Sequence, residues 1–372
     1  MKKINIAILS IIAVASIIQA KEINIGVVLP LTGATAAYGQ SALDGIKIAN
    51  SMKNTLSNGD KINLVVVDTK GDKIESANAS TRLVSQNKVQ ALIGEMITAN
   101  TLQVIRIGEE KKIPVVAPAA TADKILNKKL YASRVCFMDS FQGSSLANYI
   151  KNKLQYNKAV IITDQTTDYS LGLTRAFEKE FNKQGGKILD KFRITAGDKD
   201  FKAIISQVKN LNPDFIYLPV YYTEASLFAR QAKTMGVNIP MGSADGVADE
   251  TFINLAQDAA EGYIFTDSFD YNNPPTNLSN EFIQAYEKEK KNKEVPNFSA
   301  MGADAYFVIY EAMQKCVNNL NAECINDNIH STLNFQGVSG VISIDKSGNA
   351  TRSIVIKSIE NQKQVYKDTI LP

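Results

Sequence analysis

From Ile23 onward the chain alternates short bursts that are apolar at nearly every position with longer stretches of helical period. The first bursts are INIGVVL (23–29), INLVVVD (62–68), ALIGEM (91–96) and PVVA (114–117). Strands apolar on both faces must be covered on both faces. The bursts therefore predict parallel strands under helices of roughly twelve to eighteen residues, a doubly wound α/β sheet. The same rhythm restarts after Phe141 with AVIITD (159–164), GKILDKFRI (186–194), DFIYLPV (214–220), IPMGS (239–243) and GYIFTD (262–267). Helical patterns such as Leu171 to Gln184 and Phe201 to Asn210 separate them. Two α/β units in tandem are the simplest architecture.

Beyond Phe269 a turn-rich YNNPPTN leads into two helical patterns, Ser279 to Lys291 and Ser299 to Val317, and then into GVISID and SIVIKSI around the turn at Lys346 to Asn349. The chain does not stop with its second unit, which raises a crossing back to the first. One strand end is unusual. VVAPAATA (115–122) runs out into small residues around one hydroxyl, and predicts a strand-to-helix corner with a helix starting at Asp123.

Lys2 and Lys3 precede an apolar run from Ile4 to Ile18 that ends in small Ala20, the form of a secretory leader cleaved near Ala20. The run is short for a membrane span and no stop-transfer pattern follows it, which argues against a retained anchor. No Cys follows the run, which argues against a lipoprotein. The formal net charge of +3 includes the two leader lysines, so the mature chain is close to neutral and its charge points neither to nucleic acid nor to an acidic surface. The dense run YEKEKKNKE (286–294) alternates sign and reads as a solvated helix end. Cys316 and Cys324 flank VNNLNAE and are read as a disulfide or as two free buried thiols; Cys136, in RVCF, is read as a core thiol. No spacing of Cys or His suits a metal, so no metal and no cofactor are expected.

The one His, His330, sits in INDNIHSTL, an ordinary helix surface, and no GxSxG occurs. Neither GxGxxG after a strand nor GxxxxGK[ST] is present. An enzyme is not expected. In open α/β sheets ligands lie outside the carboxyl ends of the strands. Those ends carry LTGATAAYG (31–39), EMIT (95–98), PAAT (118–121), DQTTDY (164–169), VYYTE (220–224) and SADG (243–246). Hydroxyls, small residues, aromatics and a few carboxylates, with little that is cationic, suit a ligand carrying an ammonium and an apolar part.

These same segments resemble the branched-chain amino-acid (leucine, isoleucine, valine) binding proteins of ABC importers. The leader, PLTG…YG, VxxLIG, the PAATA box, ITAGDKDF, the Asp245-Gly-Val247 step and FQGVSGVISIDKSGN follow in order over the mature chain. The resemblance implies a type I periplasmic binding protein fold, two doubly wound lobes joined by a three-strand hinge that close on the ligand. Lobe one would be residues 21–139 plus 269–353, and lobe two residues 140–268 plus 354–372. It further implies a monomer in the periplasm that hands a free L-amino acid to an inner-membrane permease.

On this resemblance the ligand carboxylate meets Thr98 and the amides of the PAATA box. The ammonium meets the Ala119 carbonyl, the Thr121 hydroxyl and, across the cleft, Asp245. Tyr38, Tyr169, Tyr221 and Phe298 would close over the ligand. Each position has a plainer reading: Thr98 and Thr121 as helix-start hydroxyls, Asp245-Gly246 as a turn, the aromatics as core. Glu224 competes with Asp245 but reads better as a solvated first helical turn. The chain departs from the family pattern in having Asp245 for a longer Glu, Thr98 for Ser, and Gly71 and Ile97 where some members pair two cysteines. Alternatives for the ligand are alanine, serine, an amide or an aromatic acid, and a sensory protein that presents its ligand to a receptor is the rival role.

Overall fold

The computed structural model describes residues 20–291 and 293–372, so the leader sequence falls outside it up to residue 19. The bursts of the first unit become β1 (Glu22–Leu29), β2 (Lys61–Asp68), β3 (Ala91–Gly94) and β4 (Val115–Ala117), joined at one edge by β5 (Ala132–Arg134). All are parallel, in the order β2-β1-β3-β4-β5. In β1, Ile25, Val27 and Leu29 pack into one core while Val28 packs into another on the opposite face. That two-sided burial is why the strand is apolar at consecutive positions. Helices α1 (Ala36–Met52), α2 (Lys73–Ser85) and α3 (Thr98–Lys111) make the crossovers.

After α4 (Asp139–Asn148) the second sheet begins with β6 (Lys158–Asp164), α5 (Asp168–Lys183), β7 (Lys187–Ile194), α6 (Lys202–Leu211), β8 (Phe215–Tyr217), α7 (Tyr222–Thr234), β9 (Met241–Ser243), α8 (Glu250–Ala256) and β10 (Ile264–Asp267). The chain then returns to the first body through α9 (Asn277–Lys290), α10 (Asn297–Lys315) and α11 (Ala322–His330), followed by a small antiparallel sheet of β11 (Phe335–Gln336), β12 (Val341–Ile344) and β13 (Ala350–Thr351). It ends back in the second sheet with β14 (Ile354–Glu360) and β15 (Lys363–Ile370), giving the order β15-β14-β10-β9-β8-β6-β7 with β14 antiparallel to both neighbours. The chain thus passes between the two sheets three times: after β5, after β10 and before β14.

Two close approaches bring distant segments to the cleft. A Cβ at Gly45 of α1 would lie 1.9 Å from the Ser299 carbonyl oxygen, and one at Gly302 of α10 would lie 2.4 Å from the Ala42 carbonyl oxygen. The two helices touch backbone to backbone only because both positions are glycine. Their contact sets Tyr38 edge-on to Phe298 with ring centroids 4.9 Å apart.

At the crossings sits Arg352, buried among backbone carbonyls. Arg352 itself lies in the passage before β14. Its guanidinium donates to Val135 O at 3.2 Å and Ser268 O at 2.7 Å in the other two, and to Ser339 O at 2.9 Å between β11 and β12, so one residue ties the three passages together. Cys316 and Cys324 form a disulfide between the end of α10 and the start of α11, and Cys136 is a buried free thiol. Among the described residues no helix is long and apolar enough to cross a membrane.

The helix expected at Asp123 does not form; the chain turns there instead. Arg134 is the cause. Its Nη1 donates to the carbonyls of Ala120, Thr121 and Ala122 at 3.2, 2.9 and 3.0 Å, and its Nη2 donates to Asp123 O. Oxygens that a helix would use for its own first turn are bound to a guanidinium.

Candidate functional site

The carboxyl ends of both sheets face a small pocket. Tyr38, Thr98, Ala119 and Phe298 line it from the first body, together with Met96 and Ile97. Tyr169, Tyr221, Asp245 and Gly246 line it from the second. Seven of the eight residues singled out in the sequence therefore stand around one space; Thr121 is the exception, buried at 1% exposure but not on the lining. The pocket's volume is about 20 Å³, roughly room for one water.

On the first side Glu95 organises the wall. Its buried carboxyl accepts from Thr69 Oγ1 at 2.7 Å, from Asn100 Nδ2 at 3.0 Å and from the Ile97 amide at 2.7 Å. Burial raises its pKa above the ordinary carboxylate value, against those hydrogen bonds. The result is a fixed turn that leads into α3, where Thr98 is the first helical residue and makes no cap through its side chain. The N–H groups that open a helix have no intrahelical partner, so this end offers donors to the cavity. Next to it, Arg134 claims the carbonyls of Ala120 to Asp123 and leaves the Ala119 carbonyl out of its fan.

On the second side Asp245 is 5% exposed, and its Oδ1 accepts from Tyr169 Oη at 2.9 Å and Gln142 Nε2 at 3.1 Å. Both partners are neutral. Desolvation therefore dominates and raises its pKa from the ordinary 3.8 to about 6. Tyr169 Oη also accepts from the Gly246 amide at 2.8 Å, and its ring stacks on Tyr221 with centroids 4.9 Å apart. Across the cleft Tyr38 Oη donates to Gly246 O at 2.5 Å and Tyr222 Oη donates to Ala34 O at 2.6 Å. The two bodies thus close on each other through tyrosine hydroxyls.

Glu224 accepts from the Gly197 amide at 2.9 Å and does not line the cavity. His330 lies beside the Ala132 carbonyl. Among the described residues no group of three or more His, Cys, Asp or Glu is arranged to hold a metal.

Sequence reasoning missed Gln142 and Asp139. Gln142 sits one turn into α4 with its Nε2 between Asp245 and Asp139, 3.1 Å from each. Asp139 is fully buried, and burial pushes its carboxyl well above the usual range despite the hydrogen bond it accepts from Gln142. A polar residue early in a helix reads as a solvated or capping group in sequence, so neither carried a signal of its own.

The family described as "Periplasmic binding protein" matches residues 22–364. A Leu/Ile/Val-binding protein of Rhizobium johnstonii is 26% identical over 354 residues, covering 94% of this chain and 95% of its own. Among solved structures, a leucine binding protein from Thermotoga maritima superposes with a TM-score of 0.90 at 35% identity, covering 94% of this chain and 99% of its own. A branched-chain amino-acid transporter substrate-binding protein from Streptococcus pneumoniae, in complex with isoleucine, superposes with a TM-score of 0.89 at 29% identity, covering 95% of this chain and all of its own.

Proposed function

The chain belongs to the periplasmic binding protein family, and we propose that within it this member captures a free L-amino acid, leucine, isoleucine or valine, between its two lobes and delivers it to the permease of an ABC importer. The observation that carries the reading is the state of Asp245. A carboxylate this buried, with only a tyrosine and a glutamine on it, calls for a cation that the protein does not supply at that oxygen. An α-ammonium meets that need. Thr98 and the start of α3, facing it, offer the donors for the α-carboxylate. The apolar part of the ligand then lies against Ile97, Met96 and the aromatic walls. The leucine-binding and isoleucine-bound relatives support an aliphatic side chain there.

The lobes in this reading are residues 21–139 with 269–353 and residues 140–268 with 354–372, and the three passages between the sheets are the hinge. Export through a leader cut near Ala20 places a monomer in the periplasm. The role is capture and delivery, with no reaction catalysed. Titration calorimetry on the protein freed of residues 1–20 tests it: leucine, isoleucine or valine should bind at submillimolar concentration. Failure of all three would sink the aliphatic reading, and binding of alanine, serine or an aromatic acid in their place would reassign the ligand.

A further inference from the structure

Asp139 does not line the cavity, yet its geometry ties it to both groups that would hold the ligand's ammonium. It opens α4 and is 0% exposed. Its Oδ1 accepts from Gln142 Nε2 at 3.1 Å, while its Oδ2 has no hydrogen-bond partner among the described residues. Beside this carboxyl stands the Thr121 hydroxyl, which is also buried and also closes no hydrogen bond. The two residues are already clamped together, since the Asp139 amide donates to Thr121 O at 3.0 Å. Behind the carboxyl, Gly172 leaves it space; a Cβ there would sit 3.2 Å from Oδ2.

The orientation of Gln142 is equally constrained. Its Oε1 accepts from Thr266 Oγ1 at 2.8 Å and from the Asp245 amide at 3.3 Å, which obliges Nε2 to face the two carboxyls. A hydroxyl has one proton to give and two lone pairs. If the Thr121 hydroxyl donates its hydrogen bond to Asp139, only lone pairs remain for a third partner. Thr121 then accepts from an ammonium, the stronger donor, in preference to a neutral hydroxyl, and has nothing to offer a carboxylate oxygen.

We propose that Asp139 is a positioning residue of the ligand site: its carboxylate accepts a hydrogen bond from the Thr121 hydroxyl and so turns the lone pairs of the Thr121 oxygen toward the ligand's ammonium, while Gln142 couples it to Asp245 on the other side of the same group. This rests on the amino-acid reading above. The carboxylate form that this needs, which burial disfavours in the ligand-free protein, is favoured by the positive charge of Arg134 and by the incoming ammonium.

The test is a double-mutant cycle of Asp139→Asn and Thr121→Val, read by calorimetry with leucine and with its 2-hydroxy analogue, alongside thermal melting. Loss of one charge-assisted hydrogen bond predicts about a tenfold weaker leucine affinity for Asp139→Asn. The double variant should bind no worse than Thr121→Val alone, and preference for leucine over the hydroxy acid should shrink in Asp139→Asn. Unchanged leucine affinity in Asp139→Asn, or losses that multiply in the double variant, would overturn the proposal. Wild-type protein that ignores leucine, isoleucine and valine would overturn the functional reading and this one with it, which separates the two failures. A crystal structure of the wild-type protein with leucine does not depend on how the variants fold. Thr121 Oγ1 within hydrogen-bond distance of both Asp139 Oδ2 and the ligand nitrogen supports the assignment, and a Thr121 hydroxyl donating to the ligand carboxylate overturns it.

Discussion

The proposed ammonium site rests on Asp245, whose two hydrogen-bond partners are neutral and whose surroundings are dry. Removing its charge while keeping its shape, Asp245→Asn, should cost about 2 kcal/mol or more of binding, at least about thirtyfold in Kd by calorimetry. The raised pKa gives a second expectation. With a folded value of about 6 against an ordinary 3.8, the ligand-free protein binds this proton more tightly than the unfolded chain does. Its contribution to stability is therefore fully present below the ordinary value and is lost as pH rises through about 6. A bound ammonium reverses the balance by favouring the carboxylate. The rise in Tm on adding leucine should be larger at about pH 7.5 than at about pH 5, and an equal rise at both would separate Asp245 from the ammonium. Asp245 was legible in the sequence through the family resemblance; its place after a strand end suited a ligand, but the glycine that follows it read equally well as a turn. Asp139 and Gln142 were not, since what makes them matter is burial against a loop many residues away.

At the level of elements, most of the strands could be read directly, because two-sided burial forces runs of apolar residues that have no other simple meaning. The corner after β4 could not. Its small residues announced close backbone approach, but the next step was decided by Arg134, whose guanidinium takes the carbonyls of residues 120–123 and cancels the helix expected at Asp123. No local propensity reports a partner that arrives from a neighbouring strand. Arg134→Met should leave several buried carbonyls without donors, lowering unfolding free energy by about 3 kcal/mol or more in a urea titration. It should weaken leucine binding as well, because Ala119 and Thr121 are held by the same corner. The disulfide at the α10–α11 junction behaves differently. Its cysteines are 8 residues apart, and closing so short a loop contributes about 2 kcal/mol in the chain-entropy account. Reduction should lower stability by that order and leave leucine affinity unchanged, since neither cysteine touches the cavity.

For the whole molecule, the decisive quantity is the space in the cleft. About 20 Å³ holds a water and no amino acid, so a ligand enters only if the two bodies separate. Opening must break Tyr38 to Gly246 and Tyr222 to Ala34, the hydroxyl contacts that span the cleft. The three passages between the sheets must flex together, and Arg352 is placed to keep them together because it lies in one and is hydrogen-bonded to the other two. Motion of this kind makes closure, rather than the first encounter, the step that holds the ligand. Gly246 is where that idea is most exposed to test. A Cβ there would meet Tyr169 Oη at 2.8 Å and the Val220 carbonyl oxygen at 2.9 Å, at the point where Tyr38 also docks. Tyr169 and Val220 belong to the same body as Gly246, so Gly246→Ala should lower the melting temperature of the ligand-free protein and, by displacing the Gly246 carbonyl on which Tyr38 docks, should also hinder closure. In solution scattering, leucine should reduce the radius of gyration of the wild-type protein and leave that of Gly246→Ala nearly unchanged. Stopped-flow measurements should show the variant's lost affinity mainly as faster dissociation, with the association rate little altered. If Gly246→Ala contracts on leucine as the wild type does and releases it no faster, shutting of the cleft through Gly246 is not what retains the ligand.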